Sequence, residues 1–373
     1  MGKVWNKRVT IILLCFGPLR GRLGITRISR LHRFQARLVV KGYSQISRQD
    51  FDQTFSPVMR LDSLRNLIAI TATHDLDMCV LNVKSTCLHG DLDETIYMQQ
   101  PEGFNNGTPQ VCLLTHLLYG LKQSGQAWNK TLDTHLKELR YQQLNTDHCI
   151  YIRQPDHGVY DIFSIWVDDF AIFCTEGQMS QNKKEISNKW EITGQGKNPR
   201  IIVRIQILCN RTHHQIMIHQ GAYIQQILKH FGMANSDTVT MPMDNMVKLT
   251  TATDTNLFEH LTLYREVIGA LLYASMGTRP DISFVVQTLS QFASRPSKEH
   301  WQVIKRVLIY LQGTRELGIT YNDNSSFANI HVAGYSDVDW ASLIIDWRSI
   351  SVLSPSLIEK GAIPIDGVGR KFV

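Results

Sequence analysis

The chain has 373 residues, 43% of them hydrophobic and 19% charged. That apolar content is enough to bury the cores of two or three domains, and it excludes wholesale disorder. No stretch reaches the roughly 18 consecutive apolar residues of a membrane-spanning helix. We therefore expect no membrane partner.

The net charge of +6 is unevenly distributed. Residues 1–49 contain eleven Lys and Arg and no Asp or Glu, so the rest of the chain sums to −5. Clustered basic residues attract nucleic-acid phosphates. The same composition also suits a poorly ordered N-terminal tail over residues 1–35, and both interpretations stay open.

The cysteine pattern favours an intracellular protein, in the cytoplasm or nucleus. Seven cysteines are scattered singly, which suits neither a disulfide framework nor a zinc site. The apolar run 11–16 behind Lys7 and Arg8 imitates a signal peptide, but Pro18, Leu19 and Arg20 follow it instead of a small-residue cleavage site. We expect no secretion, and reduced, mostly buried thiols.

Hydrophobic periodicity predicts the elements of the first two-thirds of the chain. Apolar, β-branched runs predict strands, and apolar residues at helical spacing predict helices, the first of them with Asp62 or Ser63 as N-cap. In chain order we expect a strand at 36–43, a helix at 62–74, a strand at 78–83, a helix at 125–139, and strands at 149–152 and 161–174.

The organisation changes after about residue 233. Residues 234–256 are rich in Thr, Asn, Asp and Met, which is typical of a loop or linker. Two helices are expected next, at 264–275 and 298–311, followed by a strand beginning at 330–335. The remainder to Val373 shows no clear pattern.

The strongest chemical signal is the pair Asp168 and Asp169 between two apolar runs, in the segment 162–174. The simplest geometry is a β-hairpin with both carboxylates at its tip. Neighbouring carboxylates repel each other, so a cation there is a natural complement. Mg²⁺ prefers one or two carboxylates plus substrate phosphates, which indicates nucleotidyl transfer. Taken alone, the pair is also compatible with a purely structural turn.

Ten segments in order carry a resemblance to the reverse transcriptase of copia-type retrotransposon polyproteins, from about residue 36 to 321 and just beyond. They are ARLVVKGYSQ (36–45), DFDQTFSPVMRLDSLR (50–65), LNVKSTCLHGDLDETIYMQQPEGF (81–104), LLYGLKQSGQAWN (117–129), DHCIY (147–151), WVDD (166–169), YIQQILKHFGM (223–233), YREVIGALLYASMGTRPDISF (264–284), EHWQVIKRVLIYLQGT (299–314) and GYSDVDWA (334–341).

The resemblance implies an α+β fold of the right-hand polymerase type, with fingers, palm and thumb. It implies fingers and palm over 36–232, a thumb or connection-like helical region over 233–327 and a truncated ribonuclease H-like remnant over 328–373. The implied activity is RNA-directed DNA polymerisation, a nucleotidyltransferase reaction using Mg²⁺. The implied partners are an RNA template, a DNA primer and dNTPs.

The family's metal-binding carboxylates can be matched position by position. WVDD resembles the family's Tyr-Val-Asp-Asp box, so Asp168 and Asp169 match two metal ligands, with Trp166 in place of Tyr. The third ligand should be the Asp of the Asp-Val-Lys-Thr-Ala-Phe box, where this chain has Asn82. An amide offers one neutral oxygen in place of an anionic carboxylate. We therefore expect a weakened two-metal site and a rate loss of about 10²–10³ or more.

The resemblance also implies nucleotide-binding positions. Arg37 and Lys41 match basic residues expected to grip the incoming triphosphate, although a solvated strand face is an alternative. Cys87 replaces the Phe expected to stack beneath the sugar and exclude a ribose 2′-OH. Gly120 and Gln123 match the loop that positions template and nucleotide, where glycine permits close backbone approach.

Further departures fall at the same kind of position. Gly125 and Gln126 stand where Pro and a basic residue are usual, and Arg204 lies in a segment that lacks the family's glycine. Asp337 matches the first ribonuclease H carboxylate, but resemblance is lost soon after it. We expect that remnant to be non-functional, because a two-metal site needs further acidic residues.

Three hypotheses follow from these observations. The chain is an active polymerase, or it is a decayed copy that folds and at most binds nucleic acid without sequence preference, or it is a truncated product that never folds stably. For the activity of this chain, the departures favour the second hypothesis, a decayed copy. For its descent, the sequence favours the first, a polymerase. The sequence leaves the oligomeric state open.

Overall fold

A computed structural model describes strand residues 10–12 and residues 37–370, with gaps at 102–103, 157–158, 167–168, 195, 197, 245–246, 248, 323–329, 340–349 and 360–367. For Arg37, Cys87 and the strands at 10–12 and beyond residue 329, it describes the backbone alone. No helix in the described part of the chain is long and apolar enough to cross a membrane. The chain divides into two compact units. The first comprises Met1–Met59, Leu81–Phe170 and Ser180–Gly194, and the second comprises Arg60–Val80, Ala171–Met179 and Gln195–Val373.

A six-stranded sheet holds the elements that flank the predicted hairpin. Its spatial order is β10 (Ile192–Gly194), β3 (Asp77–Val83), β9 (Asp169–Cys174), β8 (Asp161–Trp166), β7 (Ile150–Arg153) and β6 (Gln142–Gln143). Strands β8 and β9 are buried along almost their whole length, and exposure begins at Asp169. The expected strands at 78–83, 149–152 and 161–174 are confirmed.

Further helices and short strands belong wholly or mostly to the first unit. Helix α2 (Ser124–Glu138) confirms the predicted helix and buries Trp128, Leu132 and Leu136 on one stripe. Helix α3 (Met179–Ser187) follows β9 along the chain. Strand β1 (Thr10–Ile12) pairs antiparallel with β2 (Arg37–Val39), and β4 (Tyr97–Gln99) pairs antiparallel with β5 (Val111–Leu113).

The second unit combines a helical core with a four-stranded sheet. The sheet order is β11 (Ile201–Ile202), β12 (Ile205–Asn210), β13 (Gln215–His219) and β14 (Gly318–Asn322). Helices α4 (Gly221–His230), α5 (Leu261–Gly277), α6 (Ser283–Ser290) and α7 (Lys298–Gly313) share one apolar core. Helices α5 and α7 confirm the two predicted helices. The expected loop at 234–256 contains neither helix nor strand among its described residues.

Two details differ from the sequence-based expectations. Helix α1 (Leu61–Thr73) begins after Arg60, whose side chain makes no capping hydrogen bond, so the predicted N-caps Asp62 and Ser63 lie inside the first turn. A carboxylate there still complements the helix dipole. Strand β2 ends at Val39, and Gly42–Ser44 form a 3-10 turn instead of continuing the strand.

The C-terminal segment is more regular than its sequence indicates. Strand β15 (Ile330–Asp339) extends the predicted strand, and it pairs antiparallel with β16 (Ile350–Glu359), which pairs in turn with β17 (Val368–Arg370). Sequence periodicity missed β16 because Ser and Pro residues interrupt its apolar pattern. Pairing with two neighbours supplies the support that an isolated strand lacks.

The described cysteines agree with the predicted reduced thiols. Cys79, Cys149 and Cys174 are buried, Cys112 and Cys209 are half-buried, and none of these five forms a disulfide. Burial, with Asp147 nearby, raises the pKa of Cys149 to about 12. A thiol with that pKa stays protonated and unreactive at neutral pH.

Candidate functional site

Asn82 and Asp169 meet at the exposed end of the six-stranded sheet. Asn82 lies on β3 and Asp169 begins β9, the neighbouring strand. The Nδ2 of Asn82 donates a hydrogen bond to Oδ1 of Asp169 at 2.9 Å. This confirms that Asn82 lies on the strand adjacent to the predicted hairpin. Asp168 lies outside the described residues.

Strand β10 supports Asn82 from its other side. Thr193 is directly opposite Asn82 in the antiparallel register, and its hydroxyl donates to the Asn82 carbonyl at 3.4 Å. Immediately after the end of β3, the Lys84 ammonium forms an ion pair with Glu191. Lys84 is therefore paired with Glu191, and the Asn82 amide is the group that contacts Asp169.

The described residues of this site present one carboxylate, that of Asp169, and one amide, that of Asn82. Within the described part of the chain, no cluster of three His, Cys, Asp or Glu side chains could hold a metal ion. A cation between positions 82 and 169 requires oxygen atoms on both sides, whereas Asn82 presents an N–H donor to the carboxylate. Of the three expected magnesium-binding positions, the structure describes two, Asn82 and Asp169, and they are hydrogen-bonded to each other.

A second cluster joins two of the sequence segments that carry the family resemblance. The Val40 amide donates to the Tyr119 carbonyl at 2.8 Å, next to a parallel bridge between Val39 and Tyr119. A Cβ on Gly42 would collide with the Gly120 carbonyl, and a Cβ on Gly120, whose φ is +92°, would collide with the Val40 carbonyl. The close approach predicted for Gly120 is therefore made to this chain's own backbone.

Buried polar side chains hold the same two segments together. Gln45 donates through Nε2 to Oε1 of Gln123 at 3.1 Å, and its own Oε1 accepts the Lys122 amide at 2.8 Å. Gln123 donates through Nε2 to the Asp50 carbonyl at 3.0 Å and to Oε2 of Glu94 at 3.3 Å. We call the contacts among residues 39–50 and 119–123 the clasp.

The predicted nucleotide-binding residues occupy different environments. Lys41 is half-buried and precedes the 3-10 turn of the clasp, whereas Gln123 is only 2% exposed and has its amide engaged on both ends. For Arg37, on β2, and Cys87, in a short 3-10 turn, the side chains lie outside the described part of the structure.

The sequence did not predict the contacts made by Gln45, Asp50 and Lys122. The available signal was the presence of polar residues inside otherwise apolar motif segments, KGYSQ and LYGLKQ. Composition alone cannot pair two such segments, because 77 positions separate Gln45 from Lys122.

The departures from the family pattern have specific structural positions. Val203 and Arg204 form the two-residue turn between β11 and β12, with φ of +50° and +62°. Left-handed φ favours Gly or Asn, so the missing glycine falls where the backbone requires one. Gly125 lies in the first turn of α2, and a Cβ built on it would lie 3.5 Å from the Cβ of Ser56. Asp337 lies on β15 opposite Val352.

Comparisons with known proteins identify the family. The protein-family model described as reverse transcriptase (RNA-dependent DNA polymerase) matches residues 26–245. The chain is 34% identical over 329 residues to the retrovirus-related Pol polyprotein from transposon TNT 1-94 of Nicotiana tabacum, and 33% identical over 314 residues to that from transposon RE1 of Arabidopsis thaliana. These alignments cover 86% and 83% of the chain. The chain belongs to the reverse transcriptase family and is similar to the Pol polyproteins of copia-type transposons.

The extent of these matches bounds what they imply. The chain spans 24% and 21% of the length of those two polyproteins. A shorter relative, the putative transposon Ty5-1 protein of Saccharomyces cerevisiae, is 26% identical over 311 residues, which is 79% of this chain and 97% of that protein. The matched region is therefore one portion of a longer polyprotein in the plant relatives.

Proposed function

We propose that this chain derives from an RNA-directed DNA polymerase of a copia-type retrotransposon, and that its nucleotidyl transfer is strongly impaired. The proposed substrates are an RNA template, a DNA primer and dNTPs. The observation that carries this proposal is the hydrogen bond between Asn82 and Asp169, at positions where the family resemblance implies two anionic metal ligands.

Family membership and the sheet support a right-hand polymerase organisation. We propose fingers and palm over 36–232, a thumb-like helical region over 233–327, and a ribonuclease H-like remnant over 328–373. Helices α5 to α7, which share an apolar core with α4, are consistent with the second region. For the third, the antiparallel strands β15 to β17 supply a sheet with Asp337 on its first strand.

Impairment follows from what the Asn82 side chain does to Asp169. The amide contributes no negative charge, and it satisfies one carboxylate oxygen without a cation. A divalent metal supplies charge stabilisation for phosphoryl transfer when it is bound. Losing one preorganised electrostatic partner of this kind costs about 10²–10³ in rate, which is the loss we expect for this chain.

Primer extension on a homopolymer template tests the proposal. Purified protein should extend poorly, Asn82→Asp should extend at least tenfold faster with Mg²⁺, and Asn82→Asp combined with Asp169→Ala should lose that gain. Strong extension by the unmodified chain, unchanged by Asn82→Asp, would show that position 82 is not a metal-binding position.

Nucleotide selectivity provides a second test of the same assignment. Cys is too small to exclude a ribose 2′-OH, so Asn82→Asp should incorporate ribonucleotides readily. Adding Cys87→Phe should restore discrimination in that background, and it should have no measurable effect without Asn82→Asp. If Asn82→Asp uses ribonucleotides equally well with and without Cys87→Phe, the role proposed for position 87 is contradicted.

The alternative function is a nucleic-acid-binding remnant. The eleven basic residues of segment 1–49, most of which lie outside the described residues, favour this alternative. Such binding should weaken steeply with salt and ignore base sequence, because phosphate contacts release counterions. Titration of unrelated oligonucleotides at two salt concentrations measures it. Affinity that ignores salt excludes the electrostatic mechanism.

A further inference from the structure

The loop between β4 and β5 contains Asn106-Gly107, the one Asn-Gly pair in the sequence. Asn106, Gly107 and the following Thr108 are all exposed. Gly107 has a φ of +76°, and among the described residues no heavy atom beyond its chain neighbours lies within 4 Å of a Cβ built on it. Water therefore reaches this pair, and glycine adds no side chain to cover the peptide bond that follows Asn106.

The side-chain carbonyl of Asn106 is polarised by two hydrogen bonds from Thr108. Oδ1 of Asn106 accepts the Thr108 amide at 3.1 Å and the Thr108 hydroxyl at 2.6 Å. Donors fixed around a carbonyl oxygen stabilise the negative charge that this oxygen gains when a nucleophile attacks the carbonyl carbon. The Cγ of Asn106 is therefore activated as an electrophile.

The backbone nitrogen of Gly107 is the nucleophile next to this carbon. Its N–H donates to Oδ1 of Asn105 at 2.8 Å. This hydrogen bond leaves the nitrogen richer in electrons, because hydrogen bonds polarise the groups that make them. The loop thus places an acceptor on the attacking group and two donors on the group that is attacked.

We infer that Asn106 is a site of spontaneous deamidation through a succinimide, and that Thr108 is a positioning residue for this reaction. The Gly107 nitrogen forms a bond to Cγ of Asn106, and the bond from Cγ to Nδ2 breaks. The proton of the Gly107 amide passes through solvent to the leaving nitrogen, which departs as ammonia. Water then opens the ring. Its addition at Cγ gives aspartate, and its addition at the main-chain carbonyl gives isoaspartate, in which the backbone runs through the former side chain.

The conversion changes both the charge and the backbone of the loop. Each product carries a negative charge where Asn106 carries none, and isoaspartate also adds a methylene group to the backbone. The Asn106 amide donates to Oε1 of Gln100 at 2.8 Å, and Nε2 of Gln100 donates to the Gln110 carbonyl at 3.0 Å. Gln100 therefore ties the two ends of the loop together, and a longer backbone between Asn106 and Gln110 loosens that arrangement.

Asn210 is a matched control within the same chain. It is exposed, and its Oδ1 accepts the Thr212 hydroxyl at 2.7 Å. The same contact joins Asn106 and Thr108, but Arg211 follows Asn210 where glycine follows Asn106. Purified protein is incubated at neutral pH, and peptide mapping by mass spectrometry follows conversion at both positions, with an isoaspartyl methyltransferase to label isoaspartate. Asn106 should convert at least about tenfold faster, because ring closure depends on an unhindered approach of the two groups.

Thr108→Val and Thr108→Ser test the positioning role. Thr108→Val removes the hydroxyl donor and should slow conversion about three- to tenfold, as expected for one hydrogen bond. Thr108→Ser keeps the hydroxyl and should convert like the unmodified chain. In urea, where the contacts of the loop are lost, all three proteins should convert at one rate.

The two parts of the inference have separate decisive outcomes. Equal conversion of Asn106 and Asn210 in the folded, unmodified protein would overturn the site, and this comparison needs no variant to fold. A Thr108→Val protein that converts as fast as the unmodified chain, or that is slowed equally in urea, would overturn the role of Thr108. Neither result depends on polymerase activity.

Discussion

Asn82 donates a hydrogen bond to the carboxylate of Asp169 across neighbouring strands, at an N···O distance of 2.9 Å. The N–H of the Asn82 amide satisfies the Asp169 carboxylate oxygen, as a metal ion would, but it carries no positive charge. A single-atom change, O to N, thus converts a pair that requires a cation into a pair that is satisfied without one. This relationship makes the metal dependence of the protein a testable property.

Asn82→Asp should make thermal stability depend on Mg²⁺. Without metal, the change replaces a hydrogen bond by repulsion between two carboxylates, with an expected cost of about 1 kcal/mol. Millimolar Mg²⁺ should recover that loss. Thermal unfolding with and without Mg²⁺ measures it, and Asn82→Ala is the control because it removes the hydrogen bond without adding a ligand. A variant whose midpoint ignores Mg²⁺ would contradict the interpretation.

Glycine in the turn between β11 and β12 should stabilise the protein. Val203 and Arg204 both adopt left-handed φ, which costs about 1–2 kcal/mol per non-glycine residue. Asn-Gly is the preferred sequence for such a turn. Val203→Asn with Arg204→Gly should therefore raise the unfolding midpoint by about 2–6 °C. Arg204→Ala removes the same charge but keeps a Cβ, so it should give no comparable gain.

A buried ion pair in the first unit should be costly to break. Arg153 donates through Nε and Nη2 to Oδ2 of the fully buried Asp161, at 3.2 and 3.0 Å, and Asn182 donates to the other oxygen at 2.8 Å. Arg153→Met leaves that buried carboxylate without a cation and should cost about 3–5 kcal/mol. Urea denaturation measures the free energy of unfolding. Adding Asp161→Leu to Arg153→Met should recover part of the loss.

The exposed ion pair between Lys130 and Asp93 is the matched control for that measurement. Lys130→Met should leave the free energy of unfolding almost unchanged, since water screens the pair. Equal losses at Arg153 and Lys130 would show that burial does not set the cost.

The capping box of α7 should make stability fall in acid. Ser297 Oγ accepts the His300 amide, and His300 Nδ1 accepts the Ser297 amide, which requires a neutral imidazole. Burial lowers the pKa of His300, while Glu299 and the Thr250 backbone act in the opposite direction. The unfolded chain therefore takes up this proton first, so the stability contribution is complete above pH about 6.5 and declines as the pH falls below it.

His300→Gln isolates this effect from the other histidines, because glutamine can also complete a capping box without titrating in this range. Thermal midpoints of the two proteins are compared between pH 7.5 and 5.5. The unmodified chain should lose more stability than the variant over that interval. Parallel pH profiles would assign the acid sensitivity to other groups.

The motifs and their order along the sequence were enough to predict the family. The ten motif segments predict it, and the comparisons confirm it. Apolar runs also located β8 and β9, and helical spacing located α2, α5 and α7, because burial of one face leaves a periodic trace in the residues themselves. The same periodicity could not find β16, whose Ser and Pro residues interrupt its pattern, or the true start of α1.

The chemical state of the site was decided by tertiary contacts. The sequence indicates that Asn82 lacks a charge, but only strand pairing brings its amide to Asp169. Likewise, the sequence contains Gln45 and Gln123 without indicating that they bond each other, and the left-handed backbone at Val203 and Arg204 exists only once β11 and β12 pair. Hydrogen bonds between distant segments depend on directions and distances of a few ångströms. Packing of the folded chain sets these directions and distances, and local sequence patterns do not reveal them.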